Sequence, residues 1–221
     1  MSKLTHLHVH SHYSLLDGLP KIPDLISFVK NAGQDSVALT DHGVMYGAIE
    51  FYKEAKAQNI KPIIGVEAYI APRKLTDREH KIDNLYNHLI LLARDNSGYK
   101  NLLKLVSIAH RDGFYYKPRM DKDLLAKYHN GIVALSGCLN GPIPQAILSG
   151  DLKNAKKIAQ EYLEIFGYDN FFFEVQAHNN IPDQVKVNDA LKVLGQAMGV
   201  KLVATNDVHY LQAEDADAQE Y

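Results

Sequence analysis

The chain has 221 residues, of which 46% are hydrophobic and 23% charged, and its formal net charge at pH 7 is -2. This length fits one α/β barrel of roughly 200–250 residues, and no apolar run approaches the ~18 residues that a membrane span requires. The nearly balanced charge excludes a wide electrostatic grip on duplex DNA. One cysteine excludes an internal disulfide, and the N-terminus lacks the order of a signal peptide, so we predict a reducing, cytoplasmic setting.

Seven short β-type runs alternate with helical patterns along the chain. The predicted strands are Leu4–His10, Ser36–Thr40, Ile63–Ile70, His88–Ala93, Ile132–Ser136, Phe171–Gln176 and Leu202–Thr205. The predicted helices, which have apolar residues at three- and four-residue spacing, are Pro23–Asn31, Gly47–Gln58, Ser97–His110, Asn154–Phe166 and Gln184–Met198. This alternation favours a parallel α/β sheet, and seven units favour a closed or nearly closed barrel.

No repeat, low-complexity tract or linker divides the sequence, so residues 1–221 are interpreted as one domain. The charge-rich stretch Pro72–Asn84 is predicted to form a surface loop near the barrel mouth. The last residues, Ala213–Tyr221, look like the opening of a helix cut short, which indicates an excised fragment of a longer protein.

Histidines alternate along the first predicted strand. Because side chains two residues apart share one face of a strand, we expect His6, His8 and His10 on one face. Leu7 and Val9 are then expected to pack outward on helices, which directs the imidazoles to the barrel interior or mouth. A His-x-His pair placed there can clamp a metal ion, and two solvent-facing histidines on an edge strand are the alternative interpretation.

Other predicted strands also deliver ionisable groups near their ends, where such barrels carry catalytic residues. His42 follows the second strand, and Glu67 lies among apolar residues, where a carboxylate without a cation or hydrogen-bonding partner is costly to bury. Asp207 and His209 follow the last strand and form a second alternating pair. The sequence therefore predicts a polar, metal-binding cluster at one rim of the barrel.

Six segments resemble, in chain order, the signature segments of the PHP (polymerase and histidinol phosphatase) domain of bacterial DNA polymerase III alpha subunits. They are HLHVHSHYSLLDG, ALTDHGVMYGAIEFY, KPIIGVEAYI, HRDGFYYKPR, LSGCLNG and TNDVHY. The match spans almost the whole chain, and SLLDG, GFYYKPR and SGCLNG resemble the polymerase branch more than stand-alone PHP phosphatases. The resemblance implies the PHP fold, a distorted (β/α)7 barrel similar to a TIM barrel, which binds three metal ions.

The resemblance also implies a set of metal ligands. Carried over position by position, they are His8, His10, Asp17, His42, Glu67, His110, Cys138, Asp207 and His209. In the family arrangement the first ion is held by His8, His10, Glu67 and Asp207, the second by Glu67, His110 and Cys138, and the third by Asp17, His42 and His209. Zinc is the first expectation for this mixture of donors, with manganese or iron as alternatives. Three divalent ions and four anionic ligands leave a local charge of about +2, which attracts phosphate.

Several residues receive more than one interpretation. Asp41 is assigned to orienting an imidazole by a hydrogen bond, with a strand-end cap as the alternative. Arg119 is predicted to donate hydrogen bonds from its guanidinium to a phosphate oxygen, and the alternative is a residue of a solvated loop. His178 is expected to contact substrate or protonate a leaving group. His88 is left open between a core histidine and a group that orients a ligand, and Cys138 without the resemblance reads as a small buried residue.

We therefore predict a metal-dependent phosphoesterase that removes nucleotides from the 3′ end of single-stranded DNA, a 3′–5′ exonuclease of the proofreading type. A first alternative is a non-catalytic, metal-stabilised module that braces the polymerase and binds a proofreading exonuclease subunit. A second is a stand-alone PHP phosphomonoesterase of the histidinol phosphatase kind. The expected partners are DNA and the remaining domains of the alpha subunit, and no membrane.

Overall fold

The secondary structure alternates between strands and helices, as the sequence pattern predicts. The computed structural model describes residues 4–219. The strands are β1 (Ser36–Leu39), β2 (Lys61–Ile70), β3 (Asn87–Ala93), β4 (Phe114–Tyr115), β5 (Lys117–Met120), β6 (Ile132–Leu135), β7 (Phe171–Gln176) and β8 (Leu202–Thr205). The helices are α1 (Ile22–Asn31), α2 (Ala48–Ala57), α3 (Asn96–Arg111), α4 (Lys122–Tyr128), α5 (Pro142–Leu148), α6 (Leu152–Phe166), α7 (Pro182–Met198) and α8 (Ala216–Gln219), the last preceded by a 3-10 turn at Ala213–Asp215. Within residues 4–219, no helix is both long and apolar enough to span a bilayer.

Six strands follow one another around the barrel in the order β1, β2, β3, β6, β7 and β8. The N-terminal segment, residues 4–10, completes the circle between β8 and β1 as a seventh stave. On one side His6 and Val9 accept backbone hydrogen bonds from β1 and its extension, each 2.8 Å long. On the other side Val208 exchanges backbone hydrogen bonds of 2.8 and 3.1 Å with His10 and His8. The predicted distorted seven-stave barrel is confirmed, with an irregular segment in place of the first predicted strand.

The sheet is mixed, so the prediction of an all-parallel sheet is wrong for one strand. β3 pairs antiparallel with both β2 and β6, whereas β1 with β2, β6 with β7 and β7 with β8 are parallel pairs. Residues 71–86, which join β2 to β3, contain neither helix nor strand. Without a crossover helix the chain returns alongside β2 in the opposite direction. The start of β3 therefore lies at the rim where the parallel strands end.

The barrel interior is apolar at one end and polar at the other. The apolar end, called here the barrel floor, consists of Leu7, Ala38, Ile63, Ile90, Leu92, Val133, Leu135, Phe172 and Val203. Alternate residues on the same strands, such as Leu89 and Leu91 of β3, point outward and pack with residues of the surrounding helices. Towards the carboxyl ends of the parallel strands the interior positions become Thr40, Glu67, Glu174 and Thr205, all of them buried. This change of polarity defines the end of the barrel that carries the site.

The N-terminal segment does not alternate as a regular strand does. His6 borders an apolar pocket beside Leu25 of α1, outside the barrel, whereas Leu7 packs into the barrel floor. Val9 packs outward in the cluster of α1. The predicted shared face of His6 with His8 and His10, and the outward packing of Leu7, are therefore wrong. The reason is a bend at His8, which interrupts the two-residue period between the bridges at His6 and Val9.

Candidate metal centre

Glu67 of β2 lies at the centre of the polar end of the barrel and is almost fully buried. Its Oε1 is 3.2 Å from Nε2 of His8 and 2.9 Å from Nδ1 of His88, and its Oε2 contacts Nδ1 of His42. Burial alone raises the pKa of a carboxyl, but contacts with these three imidazoles outweigh it and hold the pKa of Glu67 well below its usual value. Glu67 is therefore an ionised carboxylate among ring nitrogens.

A first group of ligand atoms comes from His8, His10, Glu67 and Asp207, which lie within 4.8 Å of one another. The Oδ1 of Asp207 is 3.0 Å from Nε2 of His8 and 3.3 Å from Nε2 of His10. Asp207 has a positive φ of 49°, an uncommon backbone conformation that tends to cluster at functional sites. These are the four residues that the resemblance assigns to the first ion.

Hydrogen bonds on the far side of two rings orient them towards the cluster. Nδ1 of His8 donates to Glu174 at 2.7 Å. The hydroxyl of Ser14 donates to Asp41 at 2.8 Å, so it accepts a hydrogen bond from Nδ1 of His10 at 2.9 Å. Both Nε2 atoms then face the cluster, as in the carboxylate–histidine–metal arrangement of metalloproteins. Burial lowers the pKa of His10 to about 4, which keeps its ring in the neutral form that binds metal.

The donor atoms of the first group are placed to bind a cation and do not form normal hydrogen bonds with one another. Nε2 of His8, Nε2 of His10, Oε2 of Glu67 and Oδ1 of Asp207 are buried and have no hydrogen-bond partner of normal geometry. Burial lowers the pKa of His8, yet the carboxylates of Asp207 and Glu174 raise it well above its usual value. Buried polar atoms are nearly always paired, so four converging unpaired donors indicate a place for a positive ion.

A second group joins Glu67, His88 and Cys138. The Sγ of Cys138 is 3.9 Å from Oε1 of Glu67 and 3.7 Å from Nδ1 of His88. The resemblance assigns the imidazole of this group to His110, which lies at the end of α3 and donates from Nε2 to the carbonyl of Gly43 at 3.0 Å. Burial raises the pKa of the Cys138 thiol, which argues against an activated nucleophile, and a cation beside it would favour the thiolate.

A third group surrounds Asp17, whose Oδ2 is 2.6 Å from Nε2 of His42 and 3.0 Å from Nε2 of His209. The ligand atoms of His10, His42 and His209 lie within 4.8 Å of one another. The ring of His10 stacks on that of His209 at a centroid distance of 4.3 Å. The structure thus brings together the three residues that the resemblance assigns to the third ion, beside His10 of the first group.

Asp41 lies next to this cluster without touching a ring. Its carboxylate accepts hydrogen bonds from the backbone N–H of Ser11 at 2.7 Å and from the hydroxyls of Ser11 and Ser14. Because Ser14 in turn holds Nδ1 of His10, Asp41 orients this imidazole through the serine hydroxyl.

Arg119 of β5 is fully buried and does not face the cluster. Its guanidinium donates to the backbone carbonyls of Gly113 at 3.2 Å, Leu75 at 3.1 Å and Asp77 at 2.9 Å, and to that of Asp83. It therefore ties the short β4–β5 ribbon to the loop between β2 and β3. This placement differs from the predicted contact with a phosphate, since the donors are occupied by the protein backbone.

His178 follows β7 and is half-buried. Its Nε2 donates to the carbonyl of Asn206 at 3.1 Å. Asn206 directly precedes Asp207, so His178 supports the backbone that carries a ligand of the first group.

Sequence reasoning left the role of His88 open and gave none to Ser14. His88 is the second residue of β3, and its position at the rim follows from the antiparallel direction of that strand, which the sequence pattern does not reveal. Ser14 stands in the SHYSLLDG segment beside two histidines, but its partner Asp41 is 27 residues away in the chain.

An open groove of about 560 Å³ adjoins the cluster and is called here the rim groove. Asp17, His42, His88 and His110 lie along its polar side. Its other lining residues include Tyr13, Tyr46, Tyr69, Tyr86, Phe114, Tyr116 and Lys117. The groove therefore connects candidate metal ligands to an aromatic surface.

Comparison with known families identifies this combination of barrel and histidine–carboxylate centre. Residues 6–178 match the PHP domain, and the chain belongs to that family. It is 50% identical over 220 residues to DNA polymerase III subunit alpha of Borreliella burgdorferi, covering 99% of this chain and 19% of that protein. It is 48% identical over 222 residues to the Thermus aquaticus subunit, covering 99% and 18%. The chain spans about a fifth of the length of these relatives.

Solved structures show the same fold at low sequence identity. An amidohydrolase from Chromobacterium violaceum superposes with a TM-score of 0.61 at 13% identity, covering 93% of this chain and 87% of that one. A two-domain Bacteroides vulgatus protein containing a predicted PHP-like metal-dependent phosphoesterase gives a TM-score of 0.57 at 14% identity, covering 93% and 51%.

Proposed function

We propose that this chain is a metal-dependent phosphoesterase that hydrolyses phosphodiesters at the 3′ end of single-stranded DNA, a 3′–5′ exonuclease of the proofreading type. The observation that carries the proposal is the linkage of the three donor groups. Glu67 belongs to the first and second groups, and His10 to the first and third. The two carboxylate oxygens of Glu67 can serve two neighbouring cations, whereas His10 offers Nε2 to one ion only and places the third group next to the first. Adjacent cations of this kind occur in centres that act on phosphate esters.

We propose three divalent cations, with zinc as the first choice and manganese or iron as alternatives, because imidazole, carboxylate and thiolate donors occur together. Bound cations supply an activated water and neutralise phosphate oxygens. The side chains of the three groups would hold the cations, and hydrogen bonds to neighbouring residues orient those side chains. Glu174 fixes the ring of His8, and Asp41 fixes that of His10 through Ser14.

For the second cation we propose His88 in place of His110. A His88→Ala chain is expected to bind one ion fewer than the unaltered chain, because Nδ1 of His88 is 2.9 Å from Glu67 and 3.7 Å from Cys138. His110→Ala is the matched control and is expected to keep all ions, since Nε2 of His110 bonds a backbone carbonyl. Elemental analysis of both purified proteins measures the difference, and the reverse outcome would restore His110 as the ligand.

The proposed activity is tested with 3′-labelled single-stranded DNA, a chromogenic phosphodiester and a small phosphomonoester. The chain is first loaded with zinc or manganese, and the ion count is measured. We expect hydrolysis of the two diesters and little of the monoester, and we expect His8→Ala to lose it. A fully loaded chain that leaves both diesters intact would favour the non-catalytic alternative, and preference for the monoester would favour the phosphatase alternative.

The relatives are about five times longer than this chain, so we propose that the centre works beside the other domains of an alpha subunit. A proofreading exonuclease subunit as a further partner, and the cytoplasmic setting, stay predictions.

A further inference from the structure

Tyr116 stands at the apex of the tight turn between β4 and β5, where Tyr115 pairs with Lys117. Its φ is 60°, a backbone conformation that bulky side chains rarely adopt, and its side chain is 61% exposed. An exposed aromatic ring in a strained turn contributes little to packing. Such strain persists where the surrounding structure holds it, often where a ligand is bound.

Neighbouring residues fix the position of this turn. Arg119 anchors the ribbon through four backbone carbonyls, and its guanidinium lies 5.2 Å from the ring centroid of Tyr115. The ring of Tyr115 in turn meets that of Tyr116 edge to face at 4.8 Å. The Tyr116 ring is therefore in contact with its neighbour while most of it is open to solvent. A preordered ring loses little entropy when a flat ligand stacks on it.

Tyr116 lines the rim groove together with the exposed rings of Phe114 and Tyr46. Lys117 lines it too, with Nζ 5.3 Å from the ring centroid of Tyr69. The groove reaches Asp17 of the third group and has a volume within the roughly 300–1,000 Å³ of small-molecule sites. Aromatic faces for bases and a lysine for phosphate are the features by which proteins bind single-stranded nucleic acid.

We propose that the rim groove binds the terminal nucleotide of a DNA 3′ end, with the base stacked on Tyr116 and Lys117 beside the backbone phosphate. This inference rests on the proposed function and adds a base-binding site to it. The groove then distinguishes a 3′ end that carries a base from an end that lacks one.

The test measures binding without turnover. Two 5′-fluorescein-labelled single-stranded oligonucleotides differ only at the 3′ residue, which is a normal nucleotide in one and an abasic tetrahydrofuran in the other. Fluorescence anisotropy in the presence of a chelator gives the Kd of each for the full chain. Tyr116→Ala is expected to weaken binding of the normal end about tenfold, because base stacking is lost. Tyr116→Phe keeps the ring and is expected to bind like the unaltered chain.

The abasic oligonucleotide is expected to bind weakly to the unaltered chain and no more weakly to Tyr116→Ala. Circular dichroism verifies that each variant is folded. Equal loss for both oligonucleotides, or no loss for either, would overturn the stacking proposal.

A turnover assay separates this inference from the proposed function. In the metal-loaded chain Tyr116→Ala is expected to raise KM for the normal end and leave kcat nearly unchanged. Preferential binding of the base-bearing end without hydrolysis would keep the base site and contradict the exonuclease proposal. Hydrolysis with the same KM for both ends would keep the activity and contradict the base site.

Discussion

Replacing Glu67 by glutamine is expected to remove the first and second cations and to lower hydrolysis by at least about a hundredfold, since even loss of a group that only orients a ligand costs 10–100-fold. Glutamine keeps the size of the side chain but has one neutral oxygen and an NH₂ group, which cannot bridge two cations. Its NH₂ group would also face ring nitrogens that now contact carboxylate oxygens at 2.9 and 3.2 Å. Ion counting and the phosphodiester assay measure the two effects together.

Two controls accompany this variant. Glu67→Asp keeps the charge with a shorter reach and is expected to retain part of both the ions and the activity. Glu164→Gln removes a carboxylate from the exposed face of α6 and is expected to change neither. A Glu67→Gln chain with three bound ions and full activity would refute the central position given to this residue.

Removal of metal is expected to lower the melting temperature by at least about 5 °C. A ligand present at a hundred times its Kd stabilises the folded state by about 2.7 kcal/mol, and about 1 kcal/mol shifts Tm by roughly 2–4 °C in a chain of this size. Without cations the donor atoms of His8, His10, Glu67 and Asp207 would stay buried without hydrogen bonds of normal geometry, so the folded state bears that cost. Scanning fluorimetry with and without chelator measures the shift.

The shift should return when zinc or manganese is added back. His8→Ala is expected to show a smaller shift, because the first group has lost a ligand. His129→Ala, at the exposed end of α4, is the matched control and should show the full shift. A chelator effect of the same size in His8→Ala would mean that the stabilising ions bind elsewhere.

Much of the barrel could be predicted from local patterns. The run Phe171–Gln176, for example, is rich in residues that favour strands, and its predicted bounds are those of β7. The short helices α4 and α5, of seven residues each, were not predicted because so few turns produce no clear periodicity. The direction of β3 depends on what joins it to β2, and a pattern of strands and helices does not specify an antiparallel return.

Only part of the candidate site could be predicted from the sequence. Most residues of the first and third groups follow strand ends or the N-terminal His-x-His pair, where spacing and the family resemblance agree, whereas Asp17 was assigned from the resemblance alone. The second group depends on His88, whose place at the rim results from tertiary structure alone. Arg119 shows the same limit, because an arginine in a loop-like motif has no local signal that separates a phosphate ligand from a buried anchor. Its role depends on carbonyls of residues 75–83, which sequence spacing does not place beside it.

The irregular N-terminal segment takes part both in closing the barrel and in forming the candidate metal centre. Its backbone is hydrogen-bonded to β1 on one side and to the chain after β8 on the other, while the side chains of His8 and His10 meet Glu67 and Asp207 inside. A cation held among these four side chains would join the N-terminal segment to the chain after β8 across the seam of the barrel. On the proposed function, removal of the ions would therefore weaken the seam of the barrel as well as remove the activity.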